Sequence, residues 1–140
     1  MRGRISFKME TILLKGELKL YKHKTFELVN IIKSKCELII TMNITYSCLK
    51  TIADKNITRC YFVSCSRDVK NLCKECYFIA TSHLKLYMTA DKVFISTSNL
   101  SLSSWDELTL ELQRTKELET FVKELEKNLK LKNDFIKAFH

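Results

Sequence analysis

His83 and Lys85 stand two residues apart in the segment HLKLYM, and Thr97, Ser98 and Asn99 follow in FISTSNL. On an extended strand, residues i and i+2 point to the same side, so one imidazole and one ammonium would share a face. A tight turn at Thr89-Ala-Asp91 would bring the next strand back alongside, with its end delivering Thr97, Ser98 and Asn99. A nucleophile or acid, a cation and neutral hydrogen-bond donors make a plausible phosphate site. Taken singly, a strand histidine is more often structural and a lone lysine is an ordinary edge residue. The convergence carries the expectation.

The elements that must position these groups alternate along the chain. Residues 4–14 and 16–21 read as short strands around Gly16. Thr25 can cap a helix from Phe26 to about Lys35, and Thr45 a second one to about Lys55. Between them Glu37–Met42 is a short run rich in β-branched residues, which suggests a buried strand. Residues 59–64 form the next strand, and Ser66 caps a third helix to about Glu75. Strands at 77–81, 83–88, 92–97 and 107–113 follow, and a last helix opens near Lys116. Its outer face pairs Glu119 with Lys123 and Glu126 with Lys130 in the favourable order. The expected fold class is α/β, a mixed sheet flanked by helices on both faces, formed by residues 1–140 as a single domain.

Composition narrows the function. Only Gly3 and Gly16 are present and proline is absent, so a Gly-rich phosphate loop is excluded. The longest charge-free stretch, Val93–Trp105, has 13 residues, short of the roughly 20 a membrane-crossing helix needs. Lys8, Glu10 and Lys15 interrupt any signal-peptide core, so the expected location is cytoplasmic, without membrane insertion. Residues 1–70 carry 14 Lys/Arg against 6 Asp/Glu, whereas residues 71–140 carry 10 of each. A basic half beside a balanced half fits a polyanionic partner, nucleic acid ahead of acidic lipid, although such charge can also simply solubilise a surface. Candidate backbone contacts are Arg2, Arg4, Lys8, Lys19, Lys22 and Lys24; Tyr21 or Tyr46 could stack on bases, with packing as the alternative.

Six cysteines invite a zinc reading, above all Cys60, Cys65, Cys73 and Cys76 with a CKEC step. Val69, Leu72, Cys73 and Cys76 fall at i, i+3, i+4 and i+7, which favours an apolar helix stripe and core packing. Zinc and a structural disulfide are the alternatives.

His83-Leu-Lys85, Asp91 and Ser96-Thr97-Ser98-Asn99, then Glu111 in the strand TLEL, together resemble the signature of the phospholipase D superfamily. That signature, the HKD motif, has H-x-K, a short gap with an Asp, G-S-x-N, and an acidic strand residue about a dozen positions on. Leu100-Ser101 and a long final helix are also usual there. Ser96 stands where the family has Gly, Thr97 where it has Ser; the hairpin is one residue shorter and Asp91 one place later. The motif spans about 30 residues, and the preceding strand–helix order fits one family half-domain.

The resemblance implies a phosphodiesterase of the small single-motif type, a hydrolase and nuclease-class endonuclease acting on DNA ahead of RNA. One motif per chain implies a homodimer, with His83 from each copy at the centre. One His83 would form a phosphohistidine and the other would protonate the leaving oxygen. Lys85 and Asn99, with Thr97 adding a hydrogen bond, would hold the phosphate oxygens. Glu111 is the expected orienting acid, with Glu107 as its rival, and Asp91 is expected to be structural. No cofactor and no metal are implied. A module that binds nucleic acid or an effector without catalysis, and a lipid-directed enzyme, are the competing classes.

Overall fold

The computed structural model describes residues 9–66, 68–79 and 82–132. Arg2, Arg4 and Lys8 lie outside them. These residues form nine strands, β1 Leu18–Lys24, β2 Cys36–Ile40, β3 Asn43–Ile44, β4 Arg59–Phe62, β5 Ser64–Cys65, β6 Glu75–Phe78, β7 Leu86–Thr89, β8 Lys92–Ser96 and β9 Asp106–Gln113. Among the same residues are three helices, α1 Leu28–Ile32, α2 Tyr46–Ile52 and α3 Lys116–Lys132, with 3-10 turns at Thr25–Glu27 and Val69–Leu72.

Seven strands make one mixed sheet in the order β1-β9-β8-β7-β2-β4-β6. β2, β4 and β6 run parallel, because each connection crosses back over the sheet before the next strand starts. The two-residue turn after β7 and the longer loop 97–105 after β8 join antiparallel neighbours, and β2–β7 and β1–β9 are antiparallel too. These directions gather the end of β2, the start of β7, the end of β8, the start of β9 and the end of β1 at one rim of the sheet.

Two apolar clusters use alternate strand residues. Ile39, Cys60, Phe62, Tyr87 and Phe94 pack with Leu28 and Ile32 of α1 and Leu49 and Ile52 of α2. Leu38, Ile40, Tyr61, Met88, Val93 and Leu112 pack with Leu118, Val122 and Leu129 of α3. Successive side chains on a strand leave opposite faces, so the two sets of strand residues lie on opposite sides of the sheet.

Several boundaries differ from the sequence expectation, each for a local reason. Residues 9–15 form no strand, and Gly16, at φ +94°, turns the chain into β1. α1 stops at Ile32 because Lys33 takes a left-handed conformation. Thr25 does not cap it; its hydroxyl instead reaches Glu107. α2 ends at Ile52 rather than near Lys55, because Ala53 is extended and bridges to Cys36. Ser66 starts no helix. It accepts the Tyr46 N–H at 2.7 Å and thereby satisfies the first turn of α2. The expected third helix is only the 3-10 turn Val69–Leu72, with Cys73 beyond it and Cys76 already in β6. The helical stripe is therefore not one surface, although both thiols are buried.

Candidate functional site

β2 ends at Ile40 and the chain turns away at Thr41, so the segment before β7 has no partner on that side. β7 accordingly begins at Leu86, and His83 and Lys85 sit in the extended lead-in rather than on a strand. Lys85 is still tied to β8, since its carbonyl accepts the Ser96 N–H at 3.0 Å. Its ammonium lies 3.7 Å from Met42 Sδ and 3.5 Å from the His83 carbonyl. His83 itself is exposed.

Asn99 reaches the same turn from the other side. Its Oδ1 accepts from Thr41 Oγ1 at 3.1 Å and from the backbone N–H groups of Met42 and Asn43, both at 3.2 Å. Three donors on one oxygen fix the amide orientation and leave the NH2 as the side chain's donor. Lys85 and Asn99 thus meet around Met42, fourteen positions apart in sequence but at one corner of the sheet.

Two residues that sequence reasoning missed hold this corner. The Tyr87 hydroxyl, fully buried, donates to the Ser98 carbonyl at 2.6 Å and lies 3.1 Å from Thr41 Oγ1. Burial pushes that phenol well above its ordinary range, so it remains a donor. Tyr87 follows Lys85 at i+2, and that spacing was the available signal; its partner Thr41 carried none. Ser96 sits in β8 without a positive φ and donates or accepts at Thr109 Oγ1, 2.7 Å away.

The acids divide. Thr97 Oγ1 donates to Glu107 Oε1 at 3.0 Å and accepts from the Leu108 N–H, while Thr25 holds the other Glu107 oxygen at 2.9 Å. Glu111 pairs across from Phe94, two residues beyond the Ser96–Thr109 pair, about 7 Å farther along the strand. The Tyr21 hydroxyl, at 3.0 Å, and Lys92, at 3.7 Å, occupy its carboxylate. Glu111 is therefore placed away from the corner, and Glu107 is the acid beside it. Among the described residues, no side chain hydrogen-bonds to the His83 ring.

The sequence matches no family model, no curated protein and no solved structure.

Of the basic residues, Lys19, Lys22 and Lys24 line the edge strand β1 and are exposed. Lys19 lies over the Tyr21 ring, 5.0 Å from its centroid, and Lys24 pairs with Asp106 at 2.7 Å. Lys22 shares an open depression with Thr97, Asp106, Glu107 and Leu108, which joins the edge lysines to the end of β8. Asp91 accepts from Thr89 Oγ1 in the β7–β8 turn, a local turn bond consistent with the structural role expected of it. No helix among the described residues is long and apolar enough to cross a membrane.

Proposed function

We infer that this chain is a phosphodiesterase built on a phospholipase D-like half-domain, acting on nucleic acid as a homodimer through His83, Lys85 and Asn99. The observation that carries this is the meeting of Lys85 and Asn99 around Met42, with His83 exposed two residues before Lys85. The sheet order, with α1 and α2 packed on one set of alternate strand residues and α3 on the other, supports the half-domain.

In the proposed first step, a His83 ring nitrogen attacks phosphorus, forming a P–N bond as the P–O bond to the leaving group breaks. The partner's His83 gives its proton to the departing oxygen. Water then attacks phosphorus, the same partner imidazole takes its proton, and the P–N bond breaks. Lys85 supplies positive charge to the non-bridging oxygens throughout, and the Asn99 NH2 supplies a neutral donor; the Thr97 hydroxyl, whose one hydrogen goes to Glu107, reaches phosphate only by giving up that bond. Glu107, held by Thr25 and Thr97, is better placed than Glu111 to order this rim.

The open rim also supports pairing of two copies. Leu84, Leu102, Trp105 and Leu108 are exposed around it, with Trp105 74% accessible, and clustered exposed apolar side chains mark interaction surfaces. Lys19 and Lys22 on the adjoining edge would meet phosphates of a nucleic-acid strand.

Plasmid cleavage in excess EDTA, with nucleic-acid binding measured in parallel, tests the assignment. Wild type cuts, and His83→Ala cuts slower by roughly three orders of magnitude or more. Binding by His83→Ala changes less than about tenfold. Wild-type binding without cutting would make the chain a binding module, and full activity in His83→Ala would remove the mechanism.

A further inference from the structure

Three of the six cysteines meet in the core where β4 and β6 pair. Cys60 and Cys76 are direct partners in that parallel ladder, so their side chains leave neighbouring strands on the same face. Cys73 reaches the same point from the loop entering β6. All three are buried, Cys60 completely. Their Sγ atoms lie within 4.8 Å of one another, with those of Cys60 and Cys73 2.7 Å apart.

Buried thiols commonly act as small core residues, and Cys48 does so here, outside the cluster. Convergence from two strands and a loop distinguishes the trio. A metal–thiolate bond is about 2.3 Å, so an ion at the centre of three sulfurs needs them about 4 Å apart. The observed span accommodates that spacing with small side-chain rotations. Thiolates in a pocket closed to water select soft d10 ions over magnesium or calcium, which require oxygen ligands.

We propose that Cys60, Cys73 and Cys76 bind one thiophilic d10 cation, Cu(I) or Zn(II), as a three-thiolate centre. Each S–H bond breaks as a metal–sulfur bond forms, and up to three protons pass to solvent. Three buried ligands match a three-coordinate Cu(I) ion. Structural zinc takes four ligands, and the thiols of Cys36 and Cys65, which pack in the same apolar cluster, are its available reserve. The ion would tie the edge strand β6 and its incoming loop to β4. The site makes no use of His83 and does not rest on the phosphodiesterase assignment.

The test uses the full reduced chain, stripped by chelator without oxygen and offered Cu(I), Zn(II) or Co(II) separately. Metal content after gel filtration, and affinity by competition with a chromophoric chelator, are the readouts. One equivalent of Cu(I) or Zn(II) is retained, Co(II) gives a thiolate charge-transfer band, and the thermal midpoint rises with the metal. Cys73→Ser and Cys76→Ser each weaken binding by at least about a hundredfold, since even outer-shell losses cost ten- to hundredfold. Cys48→Ser binds as wild type does. Should Cys73→Ser not fold, by circular dichroism, the Co(II) band of wild type and its loss in Cys76→Ser decide. Cys36→Ser and Cys65→Ser leave Cu(I) binding unchanged; equal weakening of Cu(I) by either would overturn the three-thiolate centre. Wild type that retains no ion, or Cys73→Ser that folds and retains it equally, overturns the proposal.

Discussion

Asn99 does two jobs that substitution can separate. Its oxygen accepts from two backbone N–H groups and the Thr41 hydroxyl, which holds the turn after β2. Its NH2 is the group assigned to phosphate. Asn99→Asp keeps the acceptor but puts negative charge where the donor was, so the fold persists while phosphate binding meets repulsion. Thermal unfolding is expected to shift little, and cleavage to fall about a hundredfold or more, the scale of losing one transition-state donor. Asn99→Ala leaves buried donors without an acceptor and costs about 1–3 kcal/mol as well. Equal stability loss in both variants would reduce Asn99 to a structural part. The spacing of a hairpin indicated that Lys85 and Asn99 would come to one corner, where each touches Met42. Tyr87 was signalled only by its i+2 spacing from Lys85 and Thr41 not at all, because hydrogen bonds to carbonyl and amide groups leave no pattern in the sequence. The choice between Glu107 and Glu111 needed the register of β9 against β8, which sequence leaves uncertain by a residue or two.

α3 is fastened to the sheet mainly by apolar contacts, and Glu126 adds a buried polar tie. Glu126, 8% exposed, accepts two hydrogen bonds from Arg59, at 2.9 and 3.1 Å, and one from the Tyr61 hydroxyl at 2.6 Å. Burial pushes the Glu126 carboxyl up, but the bonds from Arg59 and Tyr61 and the Arg59 charge outweigh it and hold it below its ordinary value. A folded-state value below the unfolded one of about 4.3 means stability present above that pH and lost as pH falls through the folded value. Glu126→Gln is therefore expected to cost about 2 kcal/mol at neutral pH, and to flatten the decline of stability below about pH 4.3. Urea unfolding at several pH values measures both, and parallel pH profiles for the two proteins would contradict this role. At this scale β8, β9 and the start of α3 were readable, since turn residues and helical periodicity agreed there. The stretch from Val69 to Cys76 was misread because Val69 points inward from a 3-10 turn, Cys73 from just beyond it and Cys76 from β6, and buried residues on successive short elements can mimic a helix stripe.

For the whole molecule, the rim that gathers His83, Lys85, Thr97 and Asn99 holds one copy of each group, and the chemistry assigned to it needs two imidazoles. Sedimentation at micromolar concentration is expected to give twice 16.5 kDa, and a strictly monomeric chain that still cleaves would remove the two-histidine mechanism. The alternation of strands and helices made the mixed sheet legible from sequence, whereas its order depended on crossovers that no local pattern records. Two bases of the first half pair with acids of the second, Lys24 with Asp106 and Arg59 with Glu126, so the positive excess is less confined to the first half than the sequence count indicates. The most direct measurement is a rapid quench of wild type with a labelled oligonucleotide, followed by peptide mapping. The expected result is an alkali-stable, acid-labile nucleotide adduct on the His83 ring, absent from His83→Ala. Cleavage that proceeds with an adduct on another residue, or an oligonucleotide that remains uncut and unattached, would contradict the assignment.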